Sequence, residues 1–197
     1  LLRNCERLGA RVRQSTRVVG VAFDEVLVTV NCQSSAGAET ILCRHVVDAS
    51  GQSAVLGEQL GLRQWDTFFK NLAIYAYFED VEQLPEPDST NIFIEAHEHG
   101  WCWTIPLHDG TSSVGTVLDA GSAAHGIKDV QAFFDQQLDL APETSRRLGQ
   151  RKLKSGPFVE RDWSYASSNM LGDRYILVGA SACFVDPLFS SGVHLAM

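Results

Sequence analysis

Two short apolar runs constrain this chain most. RHVVDASG at 44–51 and YILVGASA at 175–182 each drive a buried strand into a turn of Gly, Ala and Ser. A strand that ends this way opens an α/β sheet toward a ligand at its carboxyl edge. Small side chains also let a bulky planar or phosphorylated group approach the backbone. The sequence between the runs follows a different grammar. FFKNLAIYAYFED, NIFIEA, WCWTIPL and SSVGTVL read as strands joined at HEHG and HDGT, where Asp109-Gly110 is a hairpin signal. Val130 to Leu140 reads as a helix with Phe133, Phe134 and Leu138 on one face.

Ahead of the first run, Leu1 to Leu8 has helical spacing and Gly9 serves as its C-cap. Arg11–Arg13, Thr16–Phe23, Glu25–Cys32 and Thr40–Val47 are extended, with breaks at Asp24 and at Ser34–Gly37 that predict a small antiparallel meander. Ser53 to Leu60 reads as helical. The fold expected is α+β: part of an α/β nucleotide-cofactor domain, with an inserted antiparallel sheet as substrate lobe. The division expected is 1–64 and 161–197 for the cofactor domain and 65–160 for the lobe.

Composition excludes several classes. A net charge of −8 argues against nucleic acid, because phosphate binding needs clustered Lys and Arg. No apolar run approaches the roughly 20 residues of a membrane span, and the opening LLRNCERLGA is too charged for a signal peptide. Cys5, Cys32, Cys43, Cys102 and Cys183 form no CxxC pair; free thiols in a reducing cytoplasm are expected, and no metal site. His97, His99 and His108 fall around hairpin turns and are expected to be exposed, while His194 is expected to pack in the last helix. The acidic run Glu79, Asp80, Glu82, Glu86 and Asp88 reads as a solvated connection. The chain opens inside a helix and stops at Met197 in the apolar run VHLAM, so a fragment of a longer protein is expected.

Two motifs carry chemistry. In ILVGASACFVDPLFSSGVHLAM, Pro187 rigidifies a loop and Ser190-Ser191-Gly192 precede a helix, whose free N–H groups suit an anion. A simple capped strand-turn-helix is the competing reading. In WCWTIP, alternation sets Trp101 and Trp103 on one face of a strand and Pro106 limits its pairing. A pair of core aromatics would look the same. The first motif resembles the flavin-contacting loop of flavin-dependent halogenases at Phe184, Pro187, Ser190 and Gly192. The second matches that family's Trp-x-Trp-x-Ile-Pro signature at every fixed position. Asp48-Ala49-Ser50-Gly51 resembles a turn that many flavoprotein oxygenases place near the adenosine diphosphate half of FAD.

The resemblance implies a FAD-dependent halogenase that uses reduced FAD (FADH2), oxygen and a halide, chloride or bromide, on an electron-rich aromatic substrate. Asp48, Ser50, Gly51, Gly179, Phe184, Asp186, Pro187, Ser190 and Gly192 would meet the cofactor. The amides of Ser191 and Gly192 would hold the halide, while Trp101, Trp103 and Pro106 would line the space beside the flavin. A separate flavin reductase is the implied partner. Gly179-Ala180 replaces the Gly-Asp of related hydroxylases, and Phe189 stands where the tryptophan-halogenating branch has a glutamate. The substrate branch implied is therefore phenols, pyrroles or molecules tethered to a carrier protein. No GxGxxG is present, and neither Lys70 nor Lys128 matches the family's active-site lysine, so this stretch alone is expected to be inactive. A monooxygenase or prenyl reductase of the same fold, or a noncatalytic flavin-binding module, are the alternatives.

Overall fold

A computed structural model describes residues 1–123, 126–161 and 163–196. The fold is α+β, and the chain divides into two compact units: Leu1–Trp65 with Tyr165–Met197, and Asp66–Ser164. The terminal Met197, part of the expected apolar run, lies outside the described residues.

The first unit opens with α1 (Leu2–Arg7), an exposed helix ending at Leu8. An antiparallel sheet follows, β1 (Arg17–Phe23), β2 (Val28–Ser34) and β3 (Gly37–Cys43), ordered as a meander. Its first turn is closed by the Asp24 carboxylate, which accepts from the amides of Val26 at 2.7 Å and Leu27 at 2.8 Å. The expected strand Arg11–Arg13 does not form. These three residues sit between Gly9 and Ser15, both at positive φ, and have no ladder partner. The expected strand Thr40–Val47 breaks at Arg44-His45. Its second half becomes β4 (Val46–Asp48), which leaves the meander for another sheet. A 3₁₀ turn at Gly51–Ser53, α2 (Val55–Gln59) and β5 (Arg63–Trp65) complete this stretch.

The second unit is one five-stranded antiparallel sheet backed by two helices. Its elements are β6 (Asn71–Glu79), β7 (Phe93–His97), β8 (Gly100–Pro106), β9 (Ser112–Asp119), α3 (Val130–Asp139), α4 (Pro142–Leu148) and β10 (Lys152–Arg161). The strand order is β10-β6-β9-β8-β7. Side chains alternate across a strand, so Leu72, Ile74, Ala76 and Phe78 of β6 all point to one face. There they pack with Cys102, Val114, Phe134, Leu138 and Leu148 as the core. Each large apolar side chain buried there contributes about 1.5–3 kcal/mol. Asp129 caps α3 through the Ala132 amide at 3.0 Å. The acidic run is exposed, as expected, and α4 and β10 bring cations beside it: Asp80 pairs with Lys152 and Glu82 with Arg146 on the surface.

The chain then returns to the first unit through β11 (Tyr165–Ser167), β12 (Leu171–Gly172), β13 (Tyr175–Leu177), β14 (Cys183–Phe184) and α5 (Ser191–Ala196). β13 lies parallel to β4, with Leu177 opposite Asp48, and β11 is flanked by β14 and β5. Val28, Val30, Cys32, Leu56, Leu177 and Ala182 form this unit's core.

Candidate functional site

In the first unit, the parallel pair of β4 and β13 ends in two turns that are hydrogen-bonded to each other. The Val178 amide donates to the Asp48 carbonyl at 2.9 Å, and the Ser181 hydroxyl donates to the same carbonyl. The Asp48 carboxylate, only 6% exposed, faces inward. It accepts from the Ser50 amide at 2.8 Å and from the Leu56 amide at 2.7 Å, at the start of α2. Asp48 thus shapes the turn and orders the amides around it. The Ser50 hydroxyl accepts from the Val55 amide at 2.9 Å, and Ala49, Ser50 and Gly51 leave the turn's outer side open to solvent.

The second turn, Gly179–Ser181, is a single 3₁₀ turn. Gly179 has a φ of +59°, and a Cβ there would meet the Cβ of Ala196 at 3.0 Å, so only glycine fits without a shift. From there the chain passes through β14 to the loop that precedes α5. The Asp186 carboxylate accepts from the Leu188 amide at 2.7 Å, and the Ser190 amide donates to the Pro187 carbonyl at 2.9 Å. Ser190 itself has a φ of +52°, a conformation that costs a non-glycine residue energy and is found where a site dictates the backbone. Ser191 and Gly192 open α5, so their amides have no acceptor inside the helix. The Phe184 ring lies over Gly192, whose Cβ would come within 3.3 Å of it. Phe189 is 88% exposed, at the loop's tip. His194 is also exposed, contrary to expectation, on a helix of six residues whose Val193 and Ala196 are exposed as well.

What these turns present outward is backbone and small side chains, gathered where two parallel strands end, with the helix-start amides of Ser191 and Gly192 beside them. The set fits a planar, phosphate-bearing cofactor such as FAD. It offers no arrangement for a metal: among the described residues no group of three His, Cys, Asp or Glu is placed to hold one.

In the second unit, Trp101 and Trp103 share the sheet face opposite the helices, with ring centroids 5.8 Å apart. Cys102 and Thr104, between and beyond them, are buried in the helix-backed face. Burial pushes the Cys102 thiol up to about 11, so it stays an inert hydrophobe. The Trp103 indole lies across Gly115 of β9, where an added Cβ would meet it at 2.3 Å, and its Nε1 donates to the Ser113 hydroxyl at 3.3 Å. Pro106 ends β8 opposite Ser112.

Three further rings complete this face, and sequence reasoning did not single them out. Tyr75 lies 6.1 Å from Trp103 and 5.4 Å from Phe158, and Tyr77 lies 6.2 Å from Tyr75. The alternation in LAIYAYF held the signal: its buried members are aliphatic and Phe, and its other face carries both tyrosines. His97 also departs from expectation. It is half-buried at the end of β7, with Nε2 3.1 Å from the Thr116 hydroxyl, and burial lowers its pKa. His99 and His108 are exposed, as expected.

The family described as tryptophan halogenase matches the chain over residues 1–197. The chain belongs to this family. Among curated tryptophan halogenase relatives, the 1H-pyrrole-2-carbonyl-[peptidyl-carrier protein] chlorinase of Pseudomonas fluorescens is 33% identical across 100% of this chain and 45% of its own length. The tryptophan 2-halogenase of Chondromyces crocatus is 32% identical across 100% of this chain and 39% of its own length. Among solved structures, the myxobacterial chondrochloren halogenase CndH superposes with a TM-score of 0.89 at 36% identity, covering 99% of this chain and 46% of that one. The chain therefore spans less than half the length of the tryptophan halogenase relatives it matches. Of the described residues, no helix is long and apolar enough to cross a membrane.

Proposed function

We propose that this chain is the flavin- and halide-facing part of a flavin-dependent halogenase acting on an electron-rich aromatic: a phenol, a pyrrole or a carrier-tethered ring. The loop from Phe184 to Gly192 carries this reading. It supplies two helix-start amides beside small side chains, and its one carboxylate, Asp186, is engaged by the Leu188 amide. A halide needs fixed donors and no competing anion, so Ser191 and Gly192 would hold it through their amides.

Bound reduced FAD would give two electrons to molecular oxygen, and oxygen at the resulting peroxide level would take two electrons from the halide. Phe184, Pro187 and Ser190 would lie along the flavin ring, with Gly179 leaving room for it. Asp48, by holding the Ser50 and Leu56 amides, would fix the turn whose outer side, at Ser50 and Gly51, meets the adenosine diphosphate half. Trp101, Trp103 and Pro106, on the second unit, would line the substrate's space and keep water from the oxidant. The lysine that directs the oxidant would come from outside this chain, and a separate reductase would supply the reduced flavin. Carrier-tethered substrates are favoured by Phe189 in place of a glutamate and by the similarity to the pyrrolyl-carrier chlorinase.

The test is turnover of the full-length protein with a flavin reductase, oxygen, halide and aromatic substrates. The expected outcome is a halide-dependent mass gain of one halogen on the ring. Hydroxylated product alone, formed without halide, would refute the proposal.

A further inference from the structure

The second position of the Gly179–Ser181 turn is Ala180, which offers no side chain to fix a cofactor or the turn itself. The structure holds the turn from behind instead. The Tyr165 hydroxyl, on β11, donates to the Ala180 carbonyl. Tyr165 is 3% exposed, and burial pushes its phenol up, so it remains a donor across the working pH range.

The ring is held in turn by Arg63 of β5. The guanidinium carbon sits 4.2 Å from the centroid of Tyr165 and 5.1 Å from that of Trp65, and the two rings meet edge to face at 5.3 Å. Arg63 is fixed at its other end by Glu58 of α2, 3.0 Å away, and by the carbonyl of Gln52 in the turn after β4. A planar cation set against two rings, hydrogen-bonded to the Gln52 carbonyl and close to the Glu58 carboxylate, has little freedom left. Arg63 therefore connects the 48–53 turn, by way of Tyr165, to the turn at Ala180.

We infer that Arg63 and Tyr165 are positioning residues that set the Ala180 peptide, and so the Gly179–Ser181 turn, in the orientation that receives the flavin. The inference rests on the flavin reading above. Neither side chain touches the cofactor; each acts through the turn.

Three variants of the full-length protein test it: Tyr165→Phe, which removes one hydroxyl and keeps the stacked ring, Arg63→Lys, which keeps the charge and removes the planar fork, and their combination. FAD affinity is read by titration, the environment of the ring by the shape of its visible absorbance band, and folding by thermal unfolding. Tyr165→Phe is expected to weaken FAD about five- to tenfold, the effect of one lost hydrogen bond, and to alter the band. Arg63→Lys is expected to weaken it about two- to threefold. Because Arg63 acts through the hydroxyl, the combined variant is expected to bind no worse than Tyr165→Phe alone. Wild-type affinity and spectrum in Tyr165→Phe, or fully additive losses, overturn the inference. A Tyr165→Phe protein that fails to fold leaves Arg63→Lys to decide: an unchanged affinity there overturns it. A wild-type protein that binds no FAD overturns the flavin reading and this inference with it, before any variant is compared.

Discussion

Gly115 illustrates how one missing atom sets a surface. Across the sheet it stands between Tyr75 and Trp103 in register, and the Trp103 indole occupies the space its side chain would fill. A methyl group there would have to displace the indole or the strand, since the contact is with a rigid ring rather than a flexible side-chain end. Gly115→Ala is expected to cost about 1–3 kcal/mol in denaturant unfolding and to change tryptophan emission in the folded state. Unchanged stability and emission would show that the indole has room to move. The same residue marks a limit of sequence reading. WCWTIP gave both indoles and the face they share, but the flat seat under one of them depends on a glycine from another strand. Likewise the inward turn of the Asp48 carboxylate follows from where α2 begins, which local spacing does not encode.

Among the elements, α4 depends on a residue far from it in sequence. Its N-terminal amides have no acceptor within the helix, and no capping side chain comes from Ala141. Glu95 of β7 takes that place: its carboxylate accepts from the amides of Glu143 at 3.1 Å and Thr144 at 2.6 Å, and from the Thr144 hydroxyl at 2.7 Å. Glu95→Gln keeps the size, removes the negative charge and replaces one acceptor oxygen with a donor. It is expected to cost about 1–2 kcal/mol, read as a lower denaturant midpoint. An unaltered midpoint would mean that water caps the helix equally well.

Long, regular elements such as β6, β8, β9 and α3 were legible because their periodicity is unbroken. β10 was not. Its KLKSGPFVER carries register shifts between Leu153 and Ser155 and again before Phe158, so its faces do not alternate cleanly. The short strands β5, β11 and β14 pair only with segments distant in sequence, so no local pattern announces them.

For the molecule as a whole, surface carboxylates make acid the condition that destabilises it. Backbone amides hold Asp24 below the usual carboxylate range; the Thr111 hydroxyl and amide, then Lys154, do the same for Asp109. Arg146 lowers Glu82 and brings Glu143 down to about 2. In each case the folded state binds its proton at lower pH than the unfolded chain does. The stabilisation is present above the unfolded pKa values, about 4, and is lost as pH falls through the lower folded values. Unfolding midpoints are expected to begin slipping below about pH 6.5, where the unfolded chain protonates His97 and the half-buried folded imidazole does not, and then to fall more steeply from about pH 5 toward about pH 3, the carboxylate part less so in high salt. A midpoint that holds level to about pH 3 would contradict this.

The discontinuity of the first unit also sets an order of events. During synthesis the β1–β3 meander can close at once, since its contacts are local, and the stretch from Asp66 to Ser164 can collapse on its own core. β4 must wait, because its parallel partner β13 is made only after that stretch is complete, and bringing the two together closes a long loop. The turns that end β4 and β13 both hang on that pairing. On the ribosome, these two turns are thus absent until β13 has emerged and are then acquired in one step.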